Sequence, residues 1–209
     1  MRFTDAQIDA LRERVRASMS DFRFIHTAEV EKMAASIGEL YAPDKIDILR
    51  VAALLHDITK EIDVDGQIAI LESNGERTGS FERLSYKTLH ARTAVYAIMR
   101  DYPEFADEEV LCAVRYHTTG RADMSICEMI VYLADYIDES RKFDDCIKLR
   151  NYFWDARPEE MNESEREEHL LRTLLLSFDM TLTSLINEGS PTSVESIEAR
   201  NFIIARLKF

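Results

Sequence analysis

The stretch ALLHDITK, residues 53–60, places a histidine and an aspartate directly after an apolar segment. Ala53, Leu54 and Leu55 are typical core residues, and the spacing of apolar positions predicts a helix over 44–57. A carboxylate buried at the end of such a helix costs several kcal/mol unless it is paired or bound to a cation. The stretch therefore predicts a polar site inside a helical core.

The rest of the chain indicates an all-α fold. It has 209 residues, enough for one sizeable core, and only six glycines and four prolines, whereas β folds need frequent turn residues. We expect one domain, with residues 1–150 as its core and residues 151–209 as a C-terminal helical extension packed on that core. Helical spacing of apolar residues predicts further helices at 4–19, 26–41, 64–73, 86–101, 107–117, 125–140, 164–188 and 193–207.

Local signals mark where several of these helices begin. A Ser or Thr followed three residues later by Glu or Gln can satisfy free N–H groups of the first helical turn. Residues 72–85 are rich in Gly, Ser and charge, which predicts a flexible loop, and the acidic stretch 157–169 predicts a solvated connection. The candidate capping pairs are Thr4 with Gln7, Ser125 with Glu128, Ser164 with Glu167 and Thr192 with Glu195.

The charge of the chain restricts its partners. The formal net charge is −13, from 39 acidic and 26 basic residues, and such a field repels nucleic acid and anionic lipid. We expect no nucleic-acid or membrane partner, and a phosphate-bearing ligand would need local positive charge. The three cysteines form no Cys-x-x-Cys pair, which favours neither a disulfide framework nor a zinc ribbon. The stretch MRFTDAQIDALRERV lacks a signal-peptide core, so we expect a cytoplasmic protein.

Four of the five histidines lie at or within apolar helical patterns, and two aspartates share that environment. A single helical histidine is more often a core or rim residue than a ligand. Asp57 and Asp135 change that balance, since both carboxylates fall within apolar segments. His169, among glutamates and arginines, is predicted to lie on the surface. The six candidate metal ligands are His26, His56, Asp57, His90, His117 and Asp135.

One arrangement explains all six residues, namely helices that converge on bound metal. Imidazole with carboxylate suits iron, manganese, zinc or cobalt, whereas calcium and magnesium prefer oxygen ligands throughout. The set is larger than one catalytic metal with an open position requires. Two metals that share a bridging carboxylate would use all six residues as ligands.

The order His26, His56-Asp57, His90, His117, Asp135 resembles the HD-domain metal-dependent phosphohydrolases, in the variant whose additional histidine pair holds two metals. Four stretches are similar to the YqeK-type symmetrical diadenosine tetraphosphate hydrolases, and with the histidines they cover most of residues 22–203. These stretches are LLHDITK (54–60), YHTTGRADMS (116–125), YLADYIDESRKF (132–143) and SIEARNFI (196–203).

The resemblance implies an HD-domain helical bundle that hydrolyses diadenosine tetraphosphate to two ADP, using a hydroxide activated by two divalent ions. Iron is the expected metal, with manganese, cobalt or zinc as alternatives. It also implies that Asp57 bridges the two ions and is catalytic. His26, His56 and Asp135 complete one ion's ligands, and His90 and His117 complete the other's. The expected partner is a small-molecule nucleotide, and a homodimer is left open.

Five side chains are candidates for substrate contact: Arg23, Lys60, Thr118, Arg141 and Arg200. Lys60 follows Asp57 by three residues and is also a catalytic candidate, although a lysine there could merely complement a helix C-terminus. Arg23 and Arg141 could each grip phosphate with two N–H groups, or be ordinary surface arginines. Thr118 lies in HTTG (117–120), which is either a site loop with a glycine for close approach or an ordinary turn. Arg200 rests on the resemblance alone.

Other questions stay open from the sequence. The aromatics Phe22, Phe24, Tyr86 and Tyr116 could stack on adenine, yet aromatics at helical spacing are more often core. The chain departs from the family's usual pattern at Ala91, at Met129 and around Glu139-Ser140. The alternatives are an HD-type phosphohydrolase for another nucleotide (a nucleoside monophosphate, another dinucleoside polyphosphate or a signalling nucleotide) and a nucleotide-binding module without catalysis.

Overall fold

The computed structural model describes residues 2–208, and over that range the chain forms eleven α-helices and no strand, which confirms the all-α prediction. Short 3₁₀ turns lie at Pro43–Lys45, Tyr86–Thr88, Pro103–Phe105 and Pro158–Glu160. The helices are α1 (Asp5–Ser18), α2 (Asp21–Tyr41), α3 (Ile46–Leu55), α4 (Val64–Ser73), α5 (Ser80–Leu84), α6 (Leu89–Asp101), α7 (Glu108–Tyr116), α8 (Ile126–Ile137), α9 (Asp144–Asp155), α10 (Glu163–Asn187) and α11 (Val194–Lys208).

The centre of the fold is α3, which packs against α1, α2, α7 and α8. Its last three residues, Ala53, Leu54 and Leu55, are fully buried, as the apolar run predicts. Burying one such leucine stabilises the fold by roughly 1.5–3 kcal/mol, so this helix end is firmly anchored. The residues that follow are therefore held at a fixed point inside the bundle.

The C-terminal helices share the main hydrophobic core. Phe153 on α9, Phe178 on α10 and Ile203 on α11 are buried in the same apolar cluster as Leu54. Helix α10 packs against α8, α9 and α11. This packing agrees with an extension that rests on the core, while the division near residue 150 stays a prediction.

Two predicted helix starts are confirmed by complete capping boxes. Thr4 with Gln7 begins α1, and Ser125 with Glu128 begins α8. In each pair the side chains satisfy one another's backbone N–H groups. The second box places the start of α8 so that its residue Asp135 faces inward.

Two other predicted starts are wrong. Helix α10 is capped by Asn162 with Glu165 rather than by Ser164, because the overlapping box begins the helix earlier and adds helical hydrogen bonds. Near α11, the N–H of Glu195 donates to the hydroxyl of Ser193, 3.1 Å away, and not to Thr192.

Several boundaries also differ from prediction. Helix α9 was not predicted, because its first residue follows Phe143, which supplies no capping side chain. Helix α2 begins at Asp21, and the loop expected over 72–85 contains the short α5. Helix α3 ends at Leu55, so Lys60 lies in the turns that follow it rather than on its last turn.

The turn after α7 depends on a glycine. Gly120 has a φ of +62°, and a Cβ there would lie 2.6 Å from Cζ of Phe178. The close approach expected for a ligand is thus an approach to a core ring of α10. Among residues 2–208, no helix combines the length and apolar character needed to cross a membrane.

Candidate metal centre

The structure brings all six candidate ligands to one buried point between five helices. His26 comes from α2, His90 from the first turn of α6 and Asp135 from the end of α8. His56 and His117 are the C-cap residues of α3 and α7, and Asp57 follows His56 directly. The four histidines and Asp57 are buried, and the side chain of Asp135 is 15% exposed.

Asp57 lies in the middle of this cluster, and its two oxygens face different pairs of histidines. Oδ1 lies 3.1 Å from Nε2 of His90 and 3.8 Å from Nε2 of His117. Oδ2 lies 3.6 Å from Nε2 of His56 and 3.7 Å from Nε2 of His26. One carboxylate can therefore serve both histidine pairs at once.

Asp135 adds a second carboxylate on one side only. Its Oδ1 lies 3.0 Å from Nε2 of His26 and 3.8 Å from Nε2 of His56. The cluster is thus unequal, with two histidines and two aspartates on one side and two histidines with the shared Asp57 on the other.

Backbone carbonyls fix the orientation of two rings. Nδ1 of His56 donates to the carbonyl oxygen of Ala53 at 2.6 Å, and Nδ1 of His117 donates to that of Val114 at 2.7 Å. With Nδ1 protonated, Nε2 presents a lone pair to the cluster, as metal-binding histidines do. Burial lowers the pKa of His56 and holds that of His117 well below its usual range, so both rings stay neutral.

His26 is held by a residue that was not predicted from the sequence. Its Nδ1 lies 3.3 Å from Oδ2 of Asp138 and 3.2 Å from Oγ of Ser140. Burial by itself would lower the pKa of His26, but hydrogen bonds to Asp135 and Asp138 outweigh it and raise the pKa to about 9. The sequence signal was present, because Asp138 stands three residues after Asp135 at helical spacing.

The carboxylates of the cluster remain ionised despite their burial. Burial would raise the pKa of Asp57, yet His56, His90 and Lys60 together hold it well below its usual range. The pKa of Asp135 is likewise held low, against the effect of burial, chiefly by Arg141 and His26. The centre thus combines anionic oxygens with three imidazoles whose pKa burial lowers, those of His56, His90 and His117, whereas the raised pKa of His26 favours its protonated form until a cation displaces the proton.

This donor set fits divalent transition metals. Four groups of three side chains each offer ligand atoms that all lie within 4.8 Å of one another. Nε2 of His56 is buried without a hydrogen-bond partner, which is costly unless a cation satisfies it. Mixed imidazole and carboxylate ligands suit iron, manganese, cobalt and zinc.

Three of the five predicted substrate residues contact the cluster. Nη1 of Arg23 lies 2.7 Å from Oδ2 of Asp57. Arg141 donates to the backbone oxygen and to Oδ1 of Asp135. Nζ of Lys60 lies 3.1 Å from Nε2 of His90. These three cations lie at the edge of the cluster. A polyanionic ligand that approached the cluster would therefore meet positive charge as well as the carboxylates.

The other two predicted substrate residues lie elsewhere. Thr118 lines a cavity of about 600 Å³ beside His117, and its buried Oγ1 has no hydrogen-bond partner. Arg200 pairs with Asp179 of α10 and is not among the residues that line the cavities next to the cluster. Its role in substrate contact stays a prediction that rests on the resemblance.

His169 is not on the surface, so that prediction is wrong. The residue is 8% exposed, and its ring stacks on Tyr152 and Phe153 at centroid distances of 5.6 and 5.4 Å. Its Nε2 lies 3.0 Å from the carbonyl oxygen of Phe153. The unpredicted helix α9 supplies this environment, which is why the charged neighbours of His169 in sequence were misleading.

The departures from the family's usual pattern fall at different distances from the centre. Ser140 contacts His26 through its hydroxyl. Ala91 is fully buried next to His90 in α6. Met129 lines a separate cavity with Leu170 and Leu171. Only the region around Ser140 therefore touches a candidate ligand directly in the described part of the chain.

Comparison with known proteins agrees with this geometry. The HD-domain family matches residues 23–140, which is more than half of the 209 residues. A relative from Halalkalibacterium halodurans, named bis(5′-nucleosyl)-tetraphosphatase, symmetrical, is 28% identical over 93% of this chain and 95% of its own length. A relative of the same name from Staphylococcus aureus is 32% identical over 64% of this chain and 68% of its own.

A solved structure gives the same result for the fold. It is the crystal structure of a predicted HD superfamily hydrolase involved in NAD metabolism from Clostridium acetobutylicum, with a TM-score of 0.79 and 28% identity. The similarity covers 95% of this chain and 97% of that one. The chain therefore belongs to the HD-domain hydrolases, in the group of the symmetrical bis(5′-nucleosyl)-tetraphosphatases.

Proposed function

We propose that the protein hydrolyses diadenosine tetraphosphate symmetrically to two ADP, with two divalent metal ions at the His/Asp cluster. The observation that carries the proposal is the position of Asp57, whose two oxygens each face a separate pair of histidines. The names of the curated relatives support the choice of substrate.

The chain's residues would divide the ligands between two ions. His26, His56 and Asp135 form one side, His90 and His117 form the other, and Asp57 serves both. Ions bound there would supply a water-derived nucleophile at neutral pH and would offset charge on the phosphoryl oxygens. Iron is the metal we propose, with manganese, cobalt and zinc as the ions to compare.

In the reaction, a water oxygen bonds to one of the two inner phosphorus atoms. The bond from that phosphorus to the oxygen between the two inner phosphates breaks, and the water loses a proton to solvent. Both products are ADP, so neither an oxidant nor a second substrate is required.

The cations around the cluster would position the charged bridge. Arg23 and Arg141 each present a planar fork of N–H groups that can bind phosphate oxygens. Lys60 lies against His90, where its ammonium can meet charge that develops on a phosphate. Burial lowers the pKa of Lys60, but the carboxylates of Asp57 and Asp135 partly offset that effect.

The decisive experiment is product analysis with purified protein. Protein is prepared under reducing, oxygen-poor conditions and incubated with diadenosine tetraphosphate and iron, manganese, cobalt or zinc, and the nucleotides are separated. We expect ADP as the only product and about two metals per chain. AMP with ATP, release of inorganic phosphate, or turnover that survives Asp57→Ala would each contradict the proposal.

A matched surface variant controls for that substitution. Asp65→Ala removes an exposed carboxylate that pairs with Arg83 on the outer surface. We expect it to keep both metal content and turnover.

A further inference from the structure

Two cavities lie near residues of the His/Asp cluster. The first, of about 600 Å³, is lined by Leu89 and Thr118, the chain neighbours of His90 and His117, and by none of the six candidate ligands. The second, of about 420 Å³, includes His26 itself, together with Arg23 and Arg141. Both volumes lie in the range of about 300–1,000 Å³ that is usual for small-molecule sites. The second cavity therefore reaches the cluster at His26, and the first lies beside the chain neighbours of the other histidine pair.

The second cavity carries two aromatic side chains that face solvent. Phe22, at the start of α2, is 79% exposed, and Phe143, just before α9, is 71% exposed. Ile25, one turn after Phe22, is also 59% exposed. Large apolar groups exposed together beside a polar site indicate a binding surface rather than a core.

The charge of this cavity is opposite to that of the whole protein. Its lining contains Arg23, Arg141 and Lys142 and no carboxylate, although the chain carries a net charge of −13. Arg23 and Arg141 already touch Asp57 and Asp135 of the cluster. Lys142 donates to the carbonyl oxygen of Glu139 at 2.7 Å. Positive charge thus extends outward from the cluster to the two rings.

Hydrogen bonds from Arg150 hold the loop that forms one wall of the cavity. The buried guanidinium of Arg150 donates to the carbonyl oxygens of Ile137 and Arg141, at 2.6 and 3.0 Å. These bonds fix the segment between α8 and α9 that carries Lys142 and Phe143. A preformed wall lowers the entropy cost of binding a ligand.

We propose that this cavity, between Phe22 and Phe143, binds one nucleoside diphosphate half of the substrate, while the other half occupies the cavity beside Thr118. The inference rests on the proposed function, and it assigns the two halves to opposite sides of the cluster. The purine contacts the exposed rings, and the phosphates between it and the cluster contact Arg23, Arg141 and Lys142. A nucleotide is the occupant that matches the surface, because it combines an aromatic group with a polyanion.

This arrangement explains how symmetrical cleavage is selected. If each half is held in its own cavity, the middle of the four-phosphate bridge lies over Asp57. A cut nearer to either nucleoside would require the substrate to slide along the cations. The two cavities therefore determine which bond of the phosphate bridge lies over Asp57.

The first test counts ADP molecules bound per chain, because two cavities predict two sites. Calorimetry with ADP should give two sites for the wild-type protein and one for the double variant Phe22→Ala/Phe143→Ala. Met99→Ala is the control, since Met99 is 55% exposed on α6 and lines none of the cavities described above. One site in the wild-type protein, or two in the double variant, would overturn the inference.

Kinetics with diadenosine tetraphosphate give an independent measure. Stacking of a base on an aromatic ring is worth about 1–3 kcal/mol, so we expect KM of the double variant to rise roughly tenfold or more. We expect kcat to change less, because the rings lie away from the reacting phosphorus. An unchanged KM would overturn the inference and leave the proposed function standing.

Lys142 tests the phosphate contact separately. Lys142→Ala should weaken binding of ADP several-fold and leave binding of adenosine unaltered. Lys148→Ala is matched to it, because Lys148 is an exposed lysine of α9 that pairs with Asp145 outside this cavity. If Lys142→Ala and Lys148→Ala weaken ADP binding equally, Lys142 does not contact the phosphates in this cavity.

Two further outcomes are informative. If the wild-type protein turns over no diadenosine tetraphosphate with any metal, the proposed function fails, and ADP stoichiometry still decides the inference. If the double variant converts a dimer to a monomer in sedimentation at unchanged concentration, the two rings belong to an interface between copies of the chain. That result would overturn the inference.

Discussion

His56 and His169 are both buried histidines, with exposed fractions of 0% and 8%, yet their surroundings have opposite chemistry. Around His56, Nε2 lies within 4 Å of two carboxylates and has no hydrogen-bond partner. Around His169, Nε2 is paired with a backbone carbonyl and the ring stacks on Tyr152 and Phe153. Burial alone does not identify a histidine as a metal ligand. The groups that face its free ring nitrogen do identify it.

The largest expected effect is on turnover. His56→Gln removes a candidate ligand, and loss of metal-based charge stabilisation should lower kcat/KM by about 10³-fold or more. Metal content per chain should fall with it, as measured by elemental analysis. His169→Phe keeps an aromatic ring in the stack and should leave both quantities near wild type. A similar loss in the two variants would break the distinction drawn between these histidines.

A smaller effect is expected at Asp138, which orients His26 without being a predicted ligand. Asp138→Asn should weaken metal binding by about 10–100-fold, as removal of partners behind ligating histidines does. Competition with a chelator measures this change. Asp145→Asn, at an exposed position on α9, is the control and should have no effect. Wild-type affinity in Asp138→Asn would show that Asp138 has only a structural role.

The third prediction concerns the stability of the fold. Here we expect the substitution at His169, rather than one at the metal centre, to have the effect. His169→Ala removes the stacked ring and leaves the Phe153 carbonyl without its partner, which should lower the free energy of unfolding by about 1–3 kcal/mol. Added metal should raise the melting temperature of His169→Ala as much as that of the wild type, since the site is intact. Thermal melts with and without manganese test both points. Loss of the metal response in His169→Ala would contradict the separation.

The smallest effect is the pH dependence of the metal-free protein. Burial lowers the pKa of His56, His90 and His117 in the folded state, so the unfolded chain takes up more protons below about pH 6.5. Their contribution to stability is present above that pH and is lost as the pH falls. His26 acts oppositely, because its pKa is raised to about 9 and its contribution is lost as the pH rises through that value.

Urea unfolding at pH 5.5, 7 and 9 tests this dependence. We expect the greatest stability near pH 7. His117→Gln should reduce the loss at pH 5.5, whereas His169→Phe should retain it. A decrease at pH 5.5 that is the same in all three proteins would assign the effect to other groups.

Some of the molecule could be predicted because it depends on local interactions. The apolar run that ends at Leu55 and the capping box of Ser125 with Glu128 are local in sequence, and the structure contains both. Helix α9 was missed because it lacks a capping side chain and depends on tertiary packing, which buries Phe153 and Leu149. The start of α10 was misplaced because two overlapping capping boxes compete within a few residues.

The sequence by itself determined which side chains can carry the chemistry. Histidines and aspartates placed within apolar helices demand a partner, since burying them alone is costly. It also determined the helical class, through periodicity and the scarcity of glycine and proline.

Only the tertiary structure decided how those side chains face one another. The two oxygens of Asp57 are directed to different histidine pairs because α2, α3, α6 and α7 approach from different sides. The structure also placed Asp138 behind His26 and brought Phe22 and Phe143 to one cavity, although they are far apart in the chain. Spacing along a helix fixes a face, but the angle between helices depends on packing of the whole core.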